Sequence, residues 1–273
     1  QSTSPVAVGD QVFFEIDEKE SDLMGIITEV LERKNYIVRK SVNLSKQIHI
    51  IASNIDQVFL IITLNNPTTL SGFIDRLLVT AEAYQIPAYL LFNKIDSYNK
   101  QELKELRELK SIYDNIGYQT FEISAKEGWN IDKIKVLMRN KVIMFSGHSG
   151  VGKSTLINSI APGMNLKTGA ISNQHHQGTH TTTFAEMFNL SEGIKIIDTP
   201  GIKGFGVVDM SEDEIGNYYP EFKRLKVSCK FNNCLHYKEP QCAILKAVKD
   251  GAIAKSRYNN YLQMLAKENN YRI

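Results

Sequence analysis

Apolar positions along the chain follow three successive rhythms. Up to about residue 50 they fall in short β-rich runs, 12–16, 25–30 and 36–39, separated by polar turns. Strands of this size and number predict a small barrel, of either the OB or the SH3-like type. From about residue 54 the pattern becomes strand, helix, strand. The run 58–64 is continuously apolar, as expected of a strand buried on both faces. Helical spacing follows over 68–84 through Phe73, Leu77, Leu78 and Ala81. Strands are then predicted at 88–92, 120–123, 141–145, 184–190 and 194–197, with helices at 100–113 and 153–160. Such alternation means a parallel or mixed sheet covered by helices on both faces. Beyond about residue 210 the pattern is helical and ends in a long helix over 253–268.

Composition changes this picture at one end only. The 273 residues, 42% hydrophobic and 23% charged, are those of a globular chain with room for several cores. Residues 221–273 carry 11 Lys/Arg against 4 Asp/Glu, and the rest carries 21 against 26. A basic module beside a mildly acidic body points to a polyanionic partner at that end, the bland alternative being a helical tail with a solvated lysine face. The longest apolar runs are far too short to span a bilayer. No basic and apolar leader opens the chain, so it is expected to be cytoplasmic. Position 1 is not Met, and a further segment is expected upstream. No extended coiled-coil pattern is present, which reads as a monomer.

Candidate chemistry gathers at the ends of the predicted strands, where ligands collect in open α/β sheets. Gly147-His148-Ser149-Gly150-Val151-Gly152-Lys153-Ser154 follows one strand and opens a helix, the setting a phosphate-binding loop requires. Its amides, with Gly147, Ser149, Gly150, Val151, Gly152 and Thr155 among the binding positions, would wrap a β-phosphate at a helix N-terminus. Lys153 would neutralise β and γ oxygens, and Ser154 would hold Mg²⁺. Asn93-Lys94-Ile95-Asp96 ends another strand. A carboxylate at Asp96 can accept from guanine N1–H and N2–H₂ together, which adenine cannot offer. Lys94 would lie along the base, and Asn93 would tie this loop to the phosphate loop. Ser124-Ala125-Lys126, at the next strand end, would meet guanine O6. Asp198-Thr199-Pro200-Gly201 ends a fourth strand; Asp198 would reach Mg²⁺ through water and the Gly201 amide would sense the γ-phosphate.

The order of these parts is unusual. Ordinarily the phosphate loop precedes the base-reading loop; here the base-reading loop comes first, as in a circularly permuted GTPase. Ile202 stands where many GTPases carry the glutamine that orients water, and an apolar side chain cannot do that. A replacement is sought in the polar segment 169–183, the expected first switch. Thr182 or Thr183, rather than Thr181, would complete the Mg²⁺ shell. His180 is the best-placed water-orienting group; His175 and His176 read equally well as solvated loop residues.

Cys229, Cys234, His236 and Cys242 supply four soft ligands within fourteen residues, the number a closed structural zinc site needs. Three cysteines without an export signal do not make a disulfide framework. Buried reduced thiols beside an unrelated histidine are the alternative. His49 reads as an ordinary polar residue beside a strand.

Permuted order, a leading β module and a trailing Cys₃His cluster together resemble the ribosome small-subunit-dependent GTPase A family, RsgA (also called YjeQ). The resemblance extends through Pro5-Val6-Ala7-Val8-Gly9-Asp10, the junction 49–58, Gly178-Thr179-His180-Thr181-Thr182-Thr183 and the segments 229–231 and 239–243. It implies an OB-like barrel over 1–52, a circularly permuted α/β P-loop GTPase domain over 53–209 and a helical zinc-binding domain over 210–273. It also implies GTP and GDP as substrate and product, Mg²⁺, structural Zn²⁺, and a role in late maturation of the small ribosomal subunit. Barrel and zinc domain would touch 16S-type rRNA, the subunit would stimulate hydrolysis, and His180 would support it. Thr179 and His148 depart from the family's usual basic residue and glutamine, and the barrel lacks sequence for its first strands. A GTP-dependent switch on another RNA or protein is the competing reading. A zinc-stabilised RNA-binding protein with a vestigial nucleotide site is a third; intact Lys153, Ser154, Asp198 and Asp96 argue against it.

Overall fold

Strand β5 (Gln57–Ile62) is buried at every position and forms the middle of the fold. It lies in a six-stranded sheet with β6 (Ala88–Phe92), β7 (Gln119–Glu122), β8 (Val142–Ser146), β9 (Glu186–Asn189) and β10 (Lys195–Asp198). The order is β7-β6-β5-β8-β10-β9, parallel throughout except for β9, which runs antiparallel to β10 at one edge. This computed structural model describes residues 6–17, 24–40, 48–162, 185–198 and 210–270.

Strand alternation divides the core in two. Val58, Leu60 and Ile62 face a layer built on α1 (Ser71–Ala83) and α2 (Lys100–Ile116), with Ile74, Leu78, Leu106 and Tyr113. Phe59 and Ile61 face the opposite layer, with α3 (Ile131–Met138) and α4 (Lys153–Ile160) supplying Ile134, Met138, Leu156 and Ile157. Asn99 starts α2 with a reciprocal capping box to Glu102, and Gly117 ends it in the left-handed region at φ 114°. Helix α1 begins three residues later than its apolar spacing predicts. Thr63 and Thr69 bond to each other and Thr63 Oγ1 donates to the Pro67 carbonyl, which holds 67–69 as a strap.

The N-terminal strands occur among the described residues as two antiparallel pairs. They are β1 (Val12–Asp17) with β2 (Met24–Val30), and β3 (Tyr36–Lys40) with β4 (Ile48–Ser53), which contains His49. Ile37 and Ala52 join the α1–α2 side of the main core. Phe14 and Ile26 of the first pair stay exposed. Asp10 binds this module together: its carboxylate accepts from Arg33 Nε and Nη2 at 2.7 Å each and from Ser53 Oγ at 2.6 Å.

The C-terminal residues form α5 (Glu212–Ile215), α6 (Pro220–Lys226), α7 (Ala243–Lys249) and α8 (Lys255–Asn270) around Tyr219, Phe222, Ile244, Tyr261 and Met264. Val79 of α1 belongs to the same cluster, so α1 serves both the sheet core and this module. Beside it, buried Arg257 donates to Asp75 at 2.7 Å and to Glu221 at 2.8 and 3.1 Å. No helix among the described residues is long and apolar enough to cross a membrane.

Candidate functional site

Three loops leave the same edge of the sheet after β6, β7 and β8, and the side chain of Asn93 joins them. Its Nδ2 donates to the Val151 carbonyl at 2.8 Å, and its Oδ1 accepts from the Ala125 amide at 2.9 Å. Asn93 is 2% exposed, so both bonds are shielded from water. The approach depends on Gly152, where φ is +103° and a Cβ would lie 2.5 Å from Asn93 Nδ2. Gly147 is equally constrained: a Cβ there would meet the Ile61 carbonyl at 2.8 Å.

Lys94 adopts the left-handed conformation at φ 67°. Its ammonium spans from the base-reading side to the phosphate loop, donating to the carbonyls of Asn66 and Gly150, the latter at 2.8 Å. Burial pushes its pKa down, against the pull of the Asp96 carboxylate. Asp96 lies in a short 3-10 turn and accepts from Ser124 Oγ at 2.5 Å. Ser124 is buried and its oxygen also accepts from the Glu127 amide at 3.1 Å. Lys126 projects outward and pairs with Glu127 at 3.1 Å.

Within the phosphate loop, Gly147, Gly150 and Gly152 all have positive φ, and Gly152 caps α4. Lys153 is the first residue of that helix, and its ammonium folds back onto the carbonyls of Gly147 at 2.5 Å and His148 at 2.9 Å. Val151 is fully buried, whereas Ser154 and Thr155 are half-buried at the helix start. Such a helix start presents unpaired N–H groups and the positive end of the dipole, a cradle for phosphate. Ser149 sits in the turn above it. Asp198 ends β10, paired through the backbone with Glu186 and one strand from the phosphate loop. His180, Thr182, Thr183 and Gly201 lie outside the described residues.

Cys229, Cys234, His236 and Cys242 converge in the C-terminal module, their ligand atoms all within 4.8 Å of one another. Cys229 Sγ and Cys242 Sγ are 4.0 Å apart, and His236 Nδ1 lies 3.7 and 3.4 Å from them. Tetrahedral zinc with bonds of about 2.0–2.3 Å requires edges of about 3.6–3.8 Å, so the donor set fits the ion. Burial pushes the Cys234 thiol up to about 12 and raises Cys242 as well. Thiolates at these two positions would therefore need a cation beside them to form.

Two supporting residues, Tyr98 and Glu239, are given no role by the sequence. Tyr98 accepts from the Leu64 amide at 2.9 Å and donates to the Asn93 carbonyl at 2.8 Å, which fixes the base-reading loop from behind. Glu239 accepts from the amides of Leu235, Tyr237 and Lys238 at 2.7 to 3.0 Å and braces the turn that carries His236. Burial raises its carboxyl pKa, but those amides outweigh burial and hold it below the usual range. A glutamate three residues beyond the histidine was the available signal.

The model of the RsgA GTPase family matches residues 30–208. The small ribosomal subunit biogenesis GTPase RsgA of Christiangramia forsetii is 61% identical over 100% of this chain and 87% of its own length. The crystal structure of YjeQ from Thermotoga maritima is 34% identical, covers 96% of this chain and 84% of its own, and superposes with a TM-score of 0.79. That of YloQ, described as a circularly permuted GTPase, is 28% identical over 98% and 83%, with a TM-score of 0.77. Permuted loop order, fold and sequence therefore agree, and the chain belongs to the RsgA GTPase family.

Proposed function

We propose that this GTPase acts on the small ribosomal subunit during its late maturation, hydrolysing GTP to GDP and phosphate with stimulation by the subunit. The observation that carries the nucleotide reading is the Asn93 bridge, which makes one site from loops that the chain supplies in permuted order. Asp96 reads the guanine edge, Ser124 holds that carboxylate, and Ala125 and Lys126 border the base. The amides of 147–155 receive the α- and β-phosphates, and Lys153 swings from its carbonyl contacts to the β and γ oxygens. Ser154, Asp198 and one of Thr182 and Thr183 hold Mg²⁺. The ion, when bound, neutralises charge that develops between the β- and γ-phosphates. The Gly201 amide contacts the γ-phosphate. His180 orients water in place of a glutamine that Ile202 cannot replace.

Division into modules 1–52, 53–209 and 210–273 fits this role. Zn²⁺ at Cys229, Cys234, His236 and Cys242 cross-links a small module with a modest core and leaves no open position for catalysis. The net positive charge of residues 221–273 and the exposed rings of Phe231 and Tyr237 favour rRNA as the surface that this module meets. The protein acts as a cytoplasmic monomer.

Phosphate release from GTP is measured with purified small subunits, with large subunits, and alone. Stimulation by small subunits only, lost in His180→Ala, is the expected result. Equal rates in all three reject the ribosomal assignment; stimulation that survives in His180→Ala rejects the histidine.

A further inference from the structure

Helix α1 is held on two sides by groups with different tasks. On one side, the Phe73 ring packs on His148 of the phosphate loop, with centroids 3.9 Å apart and planes 34° apart. The segment just before the helix reaches the same loop. The Asn66 carbonyl shares the Lys94 ammonium with the Gly150 carbonyl, and a Cβ on Gly150 would meet Pro67 Cδ at 3.4 Å. On the other side lies α8, from the C-terminal module. Asn260 Nδ2 donates to Ser71 Oγ at 3.1 Å and to Asp75 Oδ2 at 2.6 Å. A Cβ on Gly72 would come within 3.4 Å of Asn260 Oδ1. Arg257 donates to the other oxygen of Asp75 at 2.7 Å, and Tyr113 of α2 donates to that oxygen at 2.9 Å.

Helical periodicity of about 100° per residue puts Ser71, Gly72 and Asp75 on one side of α1 and Phe73 on another. The first turn is thus gripped by α8 and presses on the phosphate loop. Asn260 is 7% exposed and Asp75 fully buried, so these bonds do not exchange freely with water. Buried, well-satisfied polar contacts fix position more than they add stability.

We propose that Asn260 is a positioning residue for nucleotide binding: it fixes the first turn of α1 from the zinc-module side, and Phe73 passes that placement to His148 and the phosphate loop. The zinc module thereby sets nucleotide affinity without touching the nucleotide. This rests on reading 147–155 as the phosphate site.

Affinity for fluorescent N-methylanthraniloyl-GDP is measured on the zinc-loaded full chain, with melting temperature and zinc content recorded for each variant. Asn260→Ala is expected to weaken binding about three- to thirty-fold, the range of coupling through a packed element. Phe73→Ala should weaken it comparably, and the double variant no more than the worse single one. Arg224→Ala removes a 2.7 Å bond from the same module to the Ile116 carbonyl, away from the first turn of α1, and should leave affinity unchanged. If Asn260→Ala does not fold, Ser71→Ala deletes one of its two bonds and should still weaken binding. Unchanged affinity in a folded Asn260→Ala, or additive losses in the double variant, overturns the proposal while the site reading stands. Failure of the unaltered protein to bind the probe overturns both.

Discussion

Replacing Gly152 by Ala puts a methyl group 2.5 Å from Asn93 Nδ2, inside any tolerable contact. Asn93 cannot simply swing aside, because it is buried and its Oδ1 is held by the Ala125 amide. The bond to the Val151 carbonyl must break, leaving a buried acceptor unpaired at a cost of about 1–3 kcal/mol. Alanine at φ +103° adds about 1–3 kcal/mol of backbone strain. Gly152→Ala should therefore cost about 2–6 kcal/mol. In an Asn93→Ala background the clash and the bond are both gone, so only the strain of about 1–3 kcal/mol remains. Urea unfolding of the four proteins measures the difference. A coupling of about 1–3 kcal/mol between the two positions is the predicted result. An equal cost of Gly152→Ala in both backgrounds would refute the claim that this glycine exists to admit Asn93.

Other consequences follow from the remaining buried groups. Arg257→Met leaves the buried Asp75 carboxyl without its cation, and should lower unfolding free energy by about 3–5 kcal/mol in urea titrations. A loss below about 1 kcal/mol would mean that the pair contributes little. Burial raises the Asp10 carboxyl pKa, but bonds from Arg33, Ser53 and Ala7 outweigh it and leave the folded value below 3.8. Its stabilisation is then present above 3.8 and is lost as pH falls through the folded value. Asp10→Asn should be less stable than the parent by about 1.5–3 kcal/mol at pH 7, with the gap closing toward pH 2 in parallel urea titrations. One zinc per chain is expected by elemental analysis, and Cys242→Ser or strong chelation should remove it and lower the melting temperature. Metal-free protein of unchanged melting temperature would contradict a structural zinc.

Much of the geometry of the candidate site was legible because each of its loops follows an apolar strand that hydrophobic runs reveal. The edges 88–92 and 153–160 match β6 and α4 residue for residue. The Cys₃His spacing likewise pointed to its cluster, since a few short turns can gather ligands this close in sequence. What stayed hidden depends on contacts between distant segments. Tyr98 looks like any loop tyrosine until its hydroxyl is found between Leu64 and Asn93. Asp75 and Arg257 are 182 positions apart, and a charge in an amphipathic helix reads as solvent-facing. Helix α3 was missed because its eight residues are too few to establish a period and, unlike the equally short α4, it follows no motif that calls for a helix. His180, Thr182, Thr183 and Gly201 belong to segments outside the described residues, so their roles rest on motif order and family resemblance.

A base-reading loop and a phosphate loop, reversed in sequence, are expected to make one guanine-nucleotide site. Competition of GDP, ADP and xanthosine diphosphate against a fluorescent nucleotide tests it, in the parent and in Asp96→Asn. A parent that prefers GDP over ADP by about 10⁴-fold or more is expected, because a carboxylate facing the wrong edge is left unpaired. Exchange of that carboxylate for an amide should invert the choice between GDP and xanthosine diphosphate, whose C2 carbonyl accepts from the new N–H₂. A parent indifferent to the base, or an Asp96→Asn protein that keeps its preference for GDP, would mean that Asp96 does not read guanine.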